Sequence, residues 1–272
     1  MSVHQDPNGR RSVSIDVEVP GTPEQIWKAI ATSEGVSSWF QPTEFEMQDG
    51  KVVMQASTFG PEMVARSKVT AWDAPRMFST EMQGWIPGSP PLATEWHVEA
   101  KSGDMCTIRI VYSLFADTAD WDDQLLGAAG AFGGFLRTLR IYCTHFLGKP
   151  SAVMQIALPA AMSEAEAWDA LTTMVGVKGR AVGEAFSSPA GAPMFDGVLE
   201  FYTESPMDAL FRVREPGEAI GALGVYTYPG ADHTMVAVNF YHYGDDAKER
   251  AAREQTTWET WMTQRFPAPA VS

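Results

Sequence analysis

Val13-Ser14-Ile15-Asp16-Val17-Glu18-Val19-Pro20-Gly21-Thr22-Pro23-Glu24-Gln25-Ile26-Trp27-Lys28-Ala29-Ile30 reads as a strand, a turn and a capped helix. Its first seven residues alternate apolar with polar, as a strand with one buried face does. Pro20 and Gly21 turn the chain. Thr22 stands three residues before Gln25, the spacing at which a hydroxyl and a carboxamide satisfy each other's free backbone N–H groups at a helix start. The phrase returns past the middle of the chain: Val153 to Leu158 is a strand, Pro159 the turn, and Ser163-Glu164-Ala165-Glu166 opens a helix carrying Trp168, Ala170 and Leu171. Thr22 and Ser163 each stand five residues before their tryptophan. The repeat predicts a tandem of two related domains.

Working outward, short apolar stretches with turn residues between them predict antiparallel strands. Asp49-Gly50 joins Phe45–Met47 to Lys51–Ala56, Asp73-Ala74-Pro75-Arg76 joins Val64–Trp72 to Met77–Gln83, and Ser102-Gly103-Asp104 joins Glu95–Ala100 to Met105–Phe115. Leu125, Ala129, Phe132, Leu136, Leu139, Cys143 and Phe146 then recur at steps of three and four, so Asp122–Phe146 is predicted as one long helix with that stripe inward. Gly127, Gly130, Gly133 and Gly134 interrupt it, each weakening a helix by about 0.5–1 kcal/mol relative to alanine. Close backbone approach to the sheet, or space left for a ligand beneath the helix, would each account for them. Gly148-Lys149-Pro150-Ser151 marks the boundary.

The second copy repeats the order in less sequence. Strands are expected at Gly197–Thr203, Ala209–Arg214, Gly221–Tyr228 and Thr234–Tyr243, and a closing helix at about Asp245–Phe266. The shorter stretch between its helices predicts a missing strand or trimmed loops. The expected plan is a disordered arm over 1–12, a first domain over 13–148 and a second, divergent one over 152–267.

Composition narrows the function. The 272 residues are 45% apolar and 11% aromatic, enough for two ordinary cores, and the net charge is −14. Such acidity argues against nucleic-acid or anionic-membrane binding, which depends on clustered Lys and Arg. Cys106 and Cys143 stand far apart and in no metal-binding spacing, which predicts reduced, buried thiols. The polar N-terminus has no secretory core, and no apolar stretch is long enough to span a bilayer, so a cytoplasmic location is expected.

No catalytic constellation stands out. His97 falls on the face opposite Trp96, beside Glu95 and Glu99, and reads as a surface group. His145 and His242 have no carboxylate or cysteine at a metal spacing, so no metal is expected. Gly127–Gly134 is no phosphate loop, because it lies inside a helix and lacks the following Lys; no cofactor is expected.

Thr22–Ile30, Trp39-Phe40, Val69–Phe78 and a long helix after Trp121 resemble bacterial proteins similar to the activator of Hsp90 ATPase, in the START-like (SRPBCC, helix-grip) superfamily. The resemblance is good over 13–147 and weaker over 153–266, which has no counterpart of Trp39-Phe40. It implies an α+β fold of two helix-grip domains, each a curved antiparallel sheet around a long C-terminal helix, with a cavity between sheet and helix. Members of that superfamily bind sterols, lipids, hormones or polyketides in this cavity.

Strand alternation independently puts Cys106, Ile108, Ile110, Tyr112 and Leu114 on one face with Trp96 and Val98, opposite Phe132, Leu136 and Leu139. Apolar packing and an open cavity both fit that pattern. The leading expectation is non-catalytic binding of a small hydrophobic ligand in the N-terminal half, lined by Trp85, Trp96, Tyr112, Phe132 and Leu136. Two alternatives stand beside it: a co-chaperone-like module with a protein partner, and an enzyme of cyclase, aromatase or hydrolase type.

Overall fold

The computed structural model describes residues 1–59, 63–116, 118–228 and 231–269. The chain divides after Gly148 into two compact units. The N-terminal unit runs β1 (His4–Gln5), β2 (Arg10–Pro20), α1 (Pro23–Ala31), α2 (Ser33–Ser37), β3 (Thr43–Gln48), β4 (Lys51–Thr58), β5 (Val64–Asp73), β6 (Met77–Met82), β7 (Leu92–Lys101), β8 (Met105–Phe115) and α3 (Asp122–His145). The C-terminal unit runs β9 (Ser151–Ala160), α4 (Glu164–Val175), β10 (Ala185–Ser187), β11 (Asp196–Glu204), β12 (Met207–Glu215), β13 (Ala219–Tyr226), β14 (Thr234–Tyr243) and α5 (Ala247–Thr263).

Each unit is an antiparallel sheet closed by its own long final helix, the helix-grip arrangement. The strand orders are β1-β2-β8-β7-β6-β5-β4-β3 and β10-β11-β12-β13-β14-β9. In both, the opening strand pairs with the closing strand, and the strands between follow as hairpins. The second sheet has six strands against eight, so the shorter sequence corresponds to lost strands.

The repeated helix starts form as their sequences dictate. The Thr22 N–H donates to Gln25 Oε1 at 2.9 Å and the Gln25 N–H to Thr22 Oγ1 at 3.4 Å. Ser163 and Glu166 exchange the equivalent pair at 3.0 and 3.3 Å. Each cap contributes on the order of 1 kcal/mol. The helices then bury Trp27 and Trp168 against their own sheets.

The expected disordered arm is corrected at its end. Arg10, Arg11 and Ser12 begin β2, and His4–Gln5 pairs with Arg11–Ser12. Ion pairing orders them: the buried Arg11 guanidinium grips Asp122 at the start of α3 through Nε–Oδ1 at 2.6 Å and Nη2–Oδ2 at 2.5 Å. That bidentate pair holds the Asp122 carboxyl below the usual carboxylate range. Close backbone approach does not explain Gly127, Gly130 or Gly133 of α3. A Cβ at Gly127 or Gly133 would meet nothing within 4 Å, and one at Gly130 would reach only the Met1 side chain at 4.0 Å.

Among the described residues no helix is long and apolar enough to cross a membrane.

Candidate functional site

Two walls enclose a cavity of about 160 Å³ in the N-terminal unit. The first comes from the helices: Ile30 on α1, Val36 on α2, Trp39 and Phe40 just after it, and Phe132 on α3. These rings hold one another. Trp39 meets Phe132 edge to face at 6.3 Å, Phe40 lies 5.3 Å from Phe132, and the Trp39 indole N–H donates to the Ala29 carbonyl at 2.9 Å. Trp96 completes this aromatic wall from β7, 5.6 Å from Phe132 and stacked on Phe78 at 5.7 Å.

The second wall is the concave sheet, and it is polar along one row. Gln55 pairs with Ser67 across β4 and β5, Thr80 with Thr94 across β6 and β7, and Thr94 with Tyr112 across β7 and β8. All five line the cavity, with Ser57, Ala65, Met82 and Leu92 around them. Ser57 is satisfied by Thr43, oxygen to oxygen at 2.8 Å. The side chains of Gln55, Ser67, Thr80, Thr94 and Tyr112 make no hydrogen bond to a described residue. Tyr112 is the one ionisable side chain among the described lining residues, and burial pushes its phenol up from the ordinary value.

Of the residues expected at the site, Trp96, Tyr112 and Phe132 meet at the cavity. Trp85 and Leu136 are not in its lining. Trp85 lies past the end of β6, where its indole N–H donates to the Pro90 carbonyl at 2.8 Å and ties down the β6–β7 connection. Leu136 sits one helical turn beyond Phe132 and is buried in the core. Apart from Tyr112, the sequence reading missed the polar row, because only the pairing of five strands brings Gln55, Ser67, Thr80 and Thr94 to it. Its one available signal was Trp39-Phe40, valued there as a fold marker.

The C-terminal unit, for which the sequence named no lining residues, holds a cavity of about 260 Å³. His242 lines it.

No family model and no curated protein matches the chain. Among solved structures it is similar to the di-domain ARO/CYC BexL from the BE-7585A biosynthetic pathway, at 12% identity and TM-score 0.46, over 95% of this chain and 99% of that one. It is similar to the di-domain ARO/CYC StfQ from the steffimycin biosynthetic pathway at 11% identity and TM-score 0.40, covering 93% and 96%. The Aha1 dimer from Colwellia psychrerythraea aligns with 50% of this chain and 98% of its own, at 17% identity and TM-score 0.39. Likenesses this distant say nothing about activity.

Proposed function

We propose that the N-terminal unit binds a small, largely hydrophobic molecule and performs no chemistry on it. The observation that carries this reading is the row Gln55, Ser67, Thr80, Thr94 and Tyr112, turned to a cavity without hydrogen-bond partners among the described residues. None of these polar atoms is sealed from the recess, so each is free to give a ligand or water a hydrogen bond of about 0.5–1.5 kcal/mol.

Volume defines the ligand. A dry cavity of about 150 Å³ takes benzene, so about 160 Å³ suits a single ring, or the end group of a longer lipid or polyketide. The aromatic wall favours a flat ring, and the opposite row favours one or two oxygens on it. General acid–base work calls for a group whose pKa lies near the working pH. Tyr112 is shifted away from that range, and no carboxylate, imidazole or amine accompanies it among the described lining residues. This supports binding over a cyclase or hydrolase reaction.

Titrating the full chain with phenol and with toluene, followed by calorimetry, tests the reading. Phenol should bind more tightly, and Tyr112→Phe or Thr80→Val should weaken phenol about fivefold, the equivalent of one hydrogen bond of about 1 kcal/mol, while leaving toluene unchanged. Equal affinities for the two probes in the wild-type protein would remove the role given to the polar row.

A further inference from the structure

The C-terminal cavity lies between the sheet and α5. Val213 on β12, Ala219 on β13 and Phe240 and His242 on β14 form its floor, and Glu254 and Trp258 face it from α5. Most of the lining is apolar or aromatic. Phe240 and Trp258 stand 4.9 Å apart, and Phe195 lies 6.3 Å from Trp258. The polar groups gather at one side: His242, Arg253, Glu254 and Thr257.

His242 is the unexplained member. It is 2% exposed, its ring is stacked on Phe240 at 5.9 Å, and neither ring nitrogen has a hydrogen-bond partner among the described residues. Glu254 comes nearest, with Oε2 3.7 Å from Nε2. That separation exceeds a hydrogen bond. One oxygen placed beside both atoms, with a small shift of the Glu254 side chain, would accept from the imidazole N–H and donate to the carboxylate. The Glu254 side chain is 20% exposed and also faces Arg253, Nη2 to Oε1 at 3.7 Å, so it is the buried imidazole whose unmet nitrogens are otherwise a standing cost to the fold.

We propose that the C-terminal unit carries a ligand site of its own, which takes a neutral, flat aromatic molecule through a hydroxyl bridging His242 and Glu254. The charges at this corner set the ligand class. Glu254 disfavours an anion, and Arg250 and Arg253, close enough to oppose protonation of His242, disfavour a cation. Asp246 acts on His242 in the opposite sense. A volume of about 260 Å³ against about 150 Å³ for benzene leaves space for two fused rings. The site is separate from the N-terminal one, since all its lining residues belong to the second unit.

The test uses the full chain and 2-naphthol, with naphthalene as control, read by NMR from the His242 ring, one of five histidines in the chain. The His242 signal, assigned through contacts to the Phe240 ring, should shift saturably with 2-naphthol, and naphthalene should bind at least tenfold more weakly. Glu254→Leu should weaken 2-naphthol about tenfold. Thr257→Phe, at an exposed position of α5 that borders the cavity, should abolish the shift while the His242 signal keeps its folded position. A His242 signal unmoved at the solubility limit of 2-naphthol, equal binding of naphthalene, or unchanged binding by Thr257→Phe would each overturn the proposal. The readout sits on His242 itself, so it stands or falls independently of the N-terminal cavity.

Discussion

In the N-terminal unit the closing helix α3 is uncharged from Gln124 to Leu136 and carries four glycines there, whereas α5 of the C-terminal unit has no glycine and turns Arg253 and Glu254 toward its cavity. The sheets differ in the same sense. The N-terminal sheet answers its helix with a row of neutral hydroxyls and an amide, and the C-terminal sheet answers with a buried imidazole. One scaffold, opened by the same strand and the same capping box, thus encloses two recesses of different chemistry. The shared elements specify the grip; the facing residues of sheet and closing helix specify what it holds.

The largest test of this contrast concerns where glycine is required. Gly221 on β13 lies opposite Phe211, and a Cβ there would come within 2.2 Å of the Phe211 ring. Phe211 is fully buried and stacked on Phe195 at 5.1 Å, so it has nowhere to move. Gly221→Ala should cost about 3 kcal/mol or more, visible in calorimetry as a downward move of the C-terminal unit's transition alone. A joint move of both transitions would mean that the units unfold as one.

Acid should separate the units next. Burial, helped by Arg250 and Arg253, lowers the His242 pKa to about 4 from an ordinary 6.5. The unfolded chain therefore takes up this proton first, so the stability it reports is full above about pH 7 and falls as the pH drops toward 4. The loss from His242 is on the order of 3 kcal/mol. Burial raises the Glu254 carboxyl, which gains its proton more readily in the folded state and opposes part of that loss. Urea titrations at pH 7 and pH 4.5 should show the C-terminal unit weakening, and Glu254→Leu should steepen the slope. No group in the described lining of the N-terminal cavity titrates across this window.

The smallest effect sharpens the comparison most. Gly127, Gly130 and Gly133 have open space where a Cβ would go, so each change to alanine should stabilise the N-terminal unit by about 0.5–1 kcal/mol. Should those glycines keep α3 pliant over the cavity, the triple variant will also bind and release phenol more slowly in stopped-flow fluorescence, with its affinity little changed. Higher stability with unaltered rates would assign the glycines no part in ligand passage.

Much of this scaffold was legible in the sequence because its signals are local. The two capping boxes, the Asp49-Gly50 hairpin and the apolar stripe of α3 each lie within a few turns or a single strand pair. β10 was missed because three residues carry too little periodicity to register. The sites were harder to read, because they are products of register. A bulge between Val69 and Ala71 shifts the phase of β5 against β6, so no alternation read along β5 alone shows that Ser67 shares a cavity with Thr80. His242 and Glu254 lie on a strand and on the helix after it, and only the docking of α5 brings them together. Trp85 misled for the converse reason: its composition suggested a lining residue, but it lies in a connection with no face to share.

The pairing of β2 with β8, and of β9 with β14, has a consequence for biogenesis. While the chain is being made, the edge of β2 that pairs with β8 has no partner strand until residues 105–115 have left the ribosome, and β9 waits likewise for residues 234–243. Each nascent half must therefore hold an unmated strand through nearly its whole synthesis, a long-range closure that slows folding and leaves a sticky margin exposed meanwhile.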